Sequence, residues 1–195
     1  MRTAVIAVAV LLLLATGVGI KYTGVRTELV EQRKAMSEAW KQVDPALQRR
    51  AELVPALVEA LKAVCQGDHP VFRDLEATRA ALLNGRSPQE KIHANERLNT
   101  ALSRLLLLSE NYPKLKSSRN FAHAESDLAS AESRIAVPRR KYNEALEHYN
   151  AQIQQFPENV VAFISRFTRN DAYLKTEPGE GAPMKARERA PVKSP

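Results

Sequence analysis

The sequence predicts an all-α protein made of an N-terminal membrane anchor, one helical body and a disordered tail. Three observations carry that prediction. Phe121, Leu128, Ile135, Tyr142, Tyr149 and Phe156 recur at seven-residue spacing, with Ala124, Ala131 and Ala145 three positions behind; this is the register of one long packed helix. The body is built from Ala, Leu, Glu, Arg, Gln and Lys, has few glycines (7 in 195 residues) and lacks alternating β-branched runs, a composition that favours helix over sheet. Residues 4–20 carry no charge. The expected division is therefore an anchor at 1–21, a helical domain at 22–170 and a disordered tail at 171–195. That leaves room for one body of about 150 residues and no second sizeable core.

The anchor reads AVIAVAVLLLLATGVGI, running from Ala4 through Leu11 and Leu14 to Ile20 between Arg2 and Lys21. At 1.5 Å per residue it reaches roughly 25 Å, just enough to span a bilayer. A cleaved signal peptide is the competing reading. Ala15, Thr16 and Gly17 are small enough for cleavage, but no A-x-A occurs and the apolar run continues past them. Lys21, Arg26, Arg33, Lys34 and Lys41 follow the run, against Arg2 and the α-amine before it. This excess predicts a single-pass protein of the cell membrane with its body facing the cytoplasm.

The first body helix should extend from Tyr22 to Cys65. One apolar row is Leu29, Met36, Val43, Leu57 and Val64; the other is Trp40, Leu47, Val54 and Leu61, three residues away, so the two form one stripe. Arg50 occupies a position in the first row where Leu or Val is expected. Either its long side chain reaches the helix edge, or it forms a buried ion pair with Glu125 or Glu132, which sit four residues beyond Phe121 and Leu128. Asp44 followed by Pro45 reads as an N-cap and first-turn proline, and Pro55 follows, so the helix is expected to bend or restart.

Gly67, Asp68, His69 and Pro70 end that element. A shorter helix is predicted from Val71 to Leu83, with Val71, Leu75, Thr78 and Leu82 on one face. Ser87, Pro88 and Glu90 supply the cap, first-turn proline and third-position acid of the next helix. Its seam is Leu98, Leu105 and Tyr112 beside Ala94, Ala101 and Leu108. The long helix opens near Ser117 or Ser118, and Pro138 inside it predicts a kink. Val160, Val161, Phe163, Ile164 and Phe167 should fold back on the bundle end. The tail after Thr176 is rich in proline, glycine and mixed charge, with almost nothing to bury.

The segment R-I-A-x-x-R-R-x-Y-N-x-A-x-x-x-Y-N-x-x-I-x-x-F-P, from Arg134 to Pro157, closely resembles the LemA family of membrane-anchored helical proteins. The resemblance extends to Ala39, Trp40, Lys41, Gln42, Val43 and Asp44; to Leu47, Gln48, Arg49 and Arg50; to Leu53, Val54 and Pro55; and to Tyr112, Pro113, Leu115 and Lys116. It implies an N-terminal transmembrane helix followed by an antiparallel four-helix bundle, and it names no reaction. Pro45, Pro138 and the C-terminal tail depart from it, which bears on helix straightness rather than fold.

Catalytic and metal-binding patterns are sparse. A di-metal carboxylate bundle needs two Glu-x-x-His motifs; Glu90 and His93 supply one, while Glu144 and His148 are four apart. His69, His93, His123 and His148 are scattered without zinc spacing. Cys65 near His69 lacks an orienting third group, and as the only cysteine it allows no internal disulfide. No phosphate-cradling glycine loop occurs. The net charge of +7 comes from basic residues interspersed with acids. Contact of Lys21, Arg26, Arg33, Lys34 and Lys41 with anionic lipid head groups is favoured over nucleic acid. The sequence thus predicts a non-enzymatic interaction or scaffolding module without a cofactor, meeting the membrane and an unknown protein partner. The alternative is a metal-binding or enzymatic bundle. The expected core comprises Trp40, Leu47, Val54, Leu61, Leu98, Leu105, Tyr112 and the six-member row from Phe121 to Phe156.

Overall fold

The computed structural model describes residues 2–64, 69–116 and 118–175. Among these residues there are helices and no strands: α1 (Arg2–Lys62), α2 (Pro70–Asn84), α3 (Pro88–Ser109), α4 (Pro113–Lys116), α5 (Arg119–Gln152) and α6 (Glu158–Ile164). The molecule is an all-α bundle. At 61 residues, α1 is about 90 Å long; its residues 9–20 are mostly apolar and exposed, and its later part is one wall of the bundle. It contains a stretch long and apolar enough to cross a membrane. Leu11, Leu14 and Ile20 lie on that stretch with their side chains exposed. Cys65 and the tail from Thr176 onward lie outside the described residues, as does Ser117.

The helices form two antiparallel pairs, α1 with α5 and the hairpin of α2 with α3. Trp40 of α1 meets Tyr142 of α5 edge to face at 5.2 Å, and Arg50 meets Glu132, so α5 runs back along α1. Arg104 reaches Asp74 across α3 and α2. The pairs join where α1 packs on α2 and α3, with Arg79 against Ala51, Asp44 against Lys91 and Arg50 against Asn95. Between them Leu47, Val54, Leu57, Leu61, Phe72, Leu75, Leu82, Leu98, Leu105 and Leu146 are sealed from solvent, the apolar burial that drives assembly. Phe121, Leu128, Ile135 and Tyr142 line the same core, with Trp40 and Tyr112 half-buried at its margin.

A second, smaller cluster lies nearer the apolar end of α1. Val25, Leu29, Tyr149, Ile153, Val161 and Ala162 form it, with Tyr22 and Phe167 packed against it. α6 is thus folded back on the bundle end, and its Val161 and Ala162 close the cluster. The seven-residue row of α5 serves both clusters and then stops. Phe156, expected in the core, is instead 82% exposed: α5 ends at Gln152, so Phe156 sits in a turn and no longer shares the helical register.

Two further expectations are corrected. α1 does not restart at Pro45; it is one helix through Pro45 and Pro55, just as α5 is one helix through Pro138. Pro45 and Pro138 release the carbonyls of Lys41 and Arg134, both exposed residues that water can serve. Asp44 is consequently not a cap but a mid-helix carboxylate, accepting hydrogen bonds from Lys91 Nζ and Gln48 Nε2. The expected tail boundary at 171 also moves. Ala172 and Leu174 are buried in the main core, so residues 168–175 form an extended strap on the bundle.

Candidate functional site

Polar side chains collect in two places. The first is a seam inside the bundle. Arg50, 5% exposed, directs Nη2 to Glu132 Oε1 at 2.7 Å, and Nη1 to Asn95 Oδ1 at 3.0 Å and to Asn99 Oδ1. Of the two carboxylates expected as partners, Glu132 makes the contact, and Glu125 lies two helical turns away on α5. Lys91 meets Asp44 one step along the same α1–α3 interface. Each buried cation is thus opposed by a carboxylate, the arrangement that offsets desolvation. The seam's acceptors are committed to its own donors, so it is built to hold helices in register.

The second is a cleft of about 530 Å³ between α1, the start of α3, the end of α5 and the strap. Arg33, Arg166, Arg169 and Lys175 line it together with Gln89 and Glu96. Arg169 is paired with Asp171 at 2.6 Å, and that carboxylate raises its pKa. Lys175 is paired with Glu96 at 3.1 Å. Arg33 lies over the Phe167 ring at 5.6 Å. No carboxylate pairs with Arg33 or Arg166 among the described residues, which leaves the cleft with an excess of positive charge.

The strap forms the cleft's outer wall, and two asparagines fasten it. Asn150 Nδ2 donates to the Asn170 carbonyl at 2.6 Å while its Oδ1 accepts from Asn170 N at 3.0 Å. Seven residues earlier, Asn143 makes the same two bonds to Leu174, at 2.7 and 3.0 Å. Tyr149 adds a donation to the Thr168 carbonyl at 2.8 Å. Burial raises the pKa of that phenol against the opposing effect of Arg33. Burial also pushes the Tyr142 phenol up to about 12, with Tyr173 adding to the shift.

Arg166 enters the cleft by way of a left-handed backbone, φ 57°. Phe167 N bonds Ala162 O at 2.9 Å and Arg166 N bonds Phe163 O at 3.3 Å, the paired closure that ends a helix with glycine at this position. Here an arginine holds it, at a cost of about 1 kcal/mol.

The model of the LemA family matches residues 39–185, a range that takes in the seam, both strap-fastening asparagines and the strap. The chain belongs to the LemA family. Among curated proteins, this LemA chain is similar to magnetosome protein MamQ 2 of Paramagnetospirillum magneticum, 37% identical over 84 residues, or 43% of this chain and 30% of that protein. It is also similar to magnetosome protein MamQ of Magnetospirillum gryphiswaldense, 29% identical over 101 residues, or 52% of this chain and 37% of that one. The chain spans about a third of the length of these relatives.

Several residues of the LemA chain's seam and cleft were not singled out from sequence. Asn143 and Asn150 each follow a tyrosine of the seven-residue row, and that repeated Tyr-Asn doublet was the available signal. Nothing local marks Asn95, Asn99 or Arg166. Among the described residues no group of three or more His, Cys, Asp or Glu side chains is placed to share a metal ion; His93 is an exposed surface residue 3.7 Å from Glu96.

Proposed function

We propose that the protein is a membrane-anchored docking module that binds an acidic segment of a partner protein in the cleft beside the strap. The observation that carries this reading is Arg166. A strained, non-glycine backbone is retained where glycine would be free of strain, and strain of this kind concentrates where a side chain is needed. Its guanidinium and that of Arg33 line one cleft and have no carboxylate partner among the described residues, which suits carboxylate groups presented by another chain.

The anchor supports the same reading. The apolar stretch and the bundle wall are one uninterrupted helix, α1, so a spanning segment would hold the cleft at a set height. A flexible linker would not. Inserted with its basic flank inward, the body faces the cytoplasm. The second reading, an enzymatic or metal-binding bundle, would need interior polar groups free for substrate. Asn95, Asn99 and Glu132 instead accept hydrogen bonds from the two terminal nitrogens of Arg50.

A photoreactive amino acid at Gln89, an exposed position on the cleft rim, tests the docking reading in native membranes. Adducts with a protein are expected, and adducts with lipid alone would contradict it. Stoichiometric metal in the purified protein would favour the second reading.

A further inference from the structure

The corner formed by the end of α5 and by α6 carries apolar side chains that the bundle does not use. Phe163 is 86% exposed, Phe156 82%, Ile164 60% and Val160 48%. α6 has two apolar faces. Val161 and Ala162 point into the smaller cluster, while Val160, Phe163 and Ile164, at i, i+3 and i+4, share the opposite side. A short helix exposed to water on that side would be expected to carry polar residues there, and a contiguous apolar face of this kind marks a contact surface.

Its position identifies what covers it. Tyr22 Oη lies 3.0 Å from Ser165 Oγ, and Val25 shares a cluster with Val161. Tyr22 and Val25 follow the apolar stretch ending at Ile20 by two and five residues, about 3 and 8 Å along the helix. That is the depth of the headgroup region bordering the hydrocarbon. α5 runs toward this end of α1, so the corner beyond Gln152 is the part of the bundle nearest the span. Lys21 and Arg26 stand beside Tyr22 and Val25 on this part of α1.

We propose that α6 and the preceding turn lie in the membrane interface, with Phe156, Val160, Phe163 and Ile164 seated among lipid acyl chains beside the span. This rests on the anchor reading above and extends it: the bundle touches the bilayer twice, through α1 and through the α5–α6 corner. Two contacts on one rigid body set the tilt of the bundle, which a single helix leaves free to turn. An amphipathic segment of this kind buries its apolar face to about 5–10 Å at the acyl boundary.

The test uses the full chain in phosphatidylcholine–phosphatidylglycerol vesicles whose acyl chains carry bromine either near the headgroup or near the bilayer centre. Trp40 is the only tryptophan, so a Trp40→Phe background permits single reporters at Phe163→Trp and, as a control in the span, Leu12→Trp. Loss of emission from Phe163→Trp, larger with shallow bromine than with deep, is the expected result, alongside quenching of Leu12→Trp. Quenching of Leu12→Trp without quenching of Phe163→Trp would overturn the second contact and leave the anchor intact. A blue-shifted, unquenched Phe163→Trp would assign the face to another protein surface and likewise overturn it. If neither reporter is quenched, the anchor reading itself fails. A Phe163→Trp, Phe156→Ser variant with the span control still quenched should show weakened quenching at the corner, since an apolar contact has been removed while the span is unchanged.

Discussion

Arg79 on α2 donates Nε–H to the carbonyl oxygen of Ala51 on α1, 3.1 Å away. That oxygen is the acceptor which Pro55, four residues on, has no N–H to satisfy. Ala51 is fully buried, so water cannot serve it as it can serve the carbonyls released by Pro45 and Pro138. A side chain from the neighbouring hairpin completes the helix that proline interrupts. Arg79→Leu should lower stability by about 1–2 kcal/mol. The same change in a Pro55→Ala background, where the backbone supplies its own donor, should cost measurably less. Thermal unfolding of the full chain in detergent, followed by circular dichroism, measures the coupling.

Arg50 is a register pin that ties α1 to both α3 and α5. Removing it strands Glu132 and two asparagine acceptors, and Arg50→Leu should cost about 2–3 kcal/mol by the same assay. Arg50→Lys should recover only part of this, because an ammonium group cannot span Asn95, Asn99 and Glu132 with a planar fork. Glu125→Gln should stay within about 0.5 kcal/mol, as expected for a surface change. Equal losses for Glu125→Gln and Glu132→Gln would contradict the pairing.

The strap depends on amide pairs rather than on burial alone. Asn150→Leu leaves the Asn170 amide and carbonyl without their side-chain partners, so residues 168–175 should lose protection in hydrogen exchange while the cores of α1 and α5 keep theirs. The local loss should be about 1–3 kcal/mol. Global unfolding, or no change at the strap, would contradict this role.

Much of this architecture is legible in the sequence because it is written in local signals. Ser87 accepts from Glu90 N at 3.2 Å, and α3 begins where that cap and Pro88 predict. The apolar rows through Leu47, Leu98 and Leu128 reach the core they describe. Phe156 was misread because the seven-residue period outlasts its helix: periodicity marks a face and does not mark where the helix stops. Pro45 was misread because a proline reports a missing donor, and whether the helix survives depends on who serves the freed carbonyl. The cleft was illegible for a different reason. Its wall is held by Asn143 and Asn150 to residues 20 to 31 positions away, and its cations gather from α1, the turn after α6 and the strap.

Alkaline pH should loosen the bundle through Tyr142. Its folded pKa, pushed up to about 12 by burial, exceeds the unfolded value near 10. Between those values the folded state binds the proton more tightly, so stability is fully present below about pH 10 and falls as pH rises toward about 12. Tyr149 is shifted in the same direction and adds to the effect. Melting temperature measured across that window should decline steeply in the wild type and less so in Tyr142→Phe.

The docking reading meets its most direct test in the yield of the Gln89 photocrosslink to protein, compared in native membranes between the wild type and an Arg33→Glu, Arg166→Glu variant. With folding verified by circular dichroism, the account predicts that reversing these two cations abolishes the protein adduct. An adduct of undiminished yield in the folded variant would contradict it.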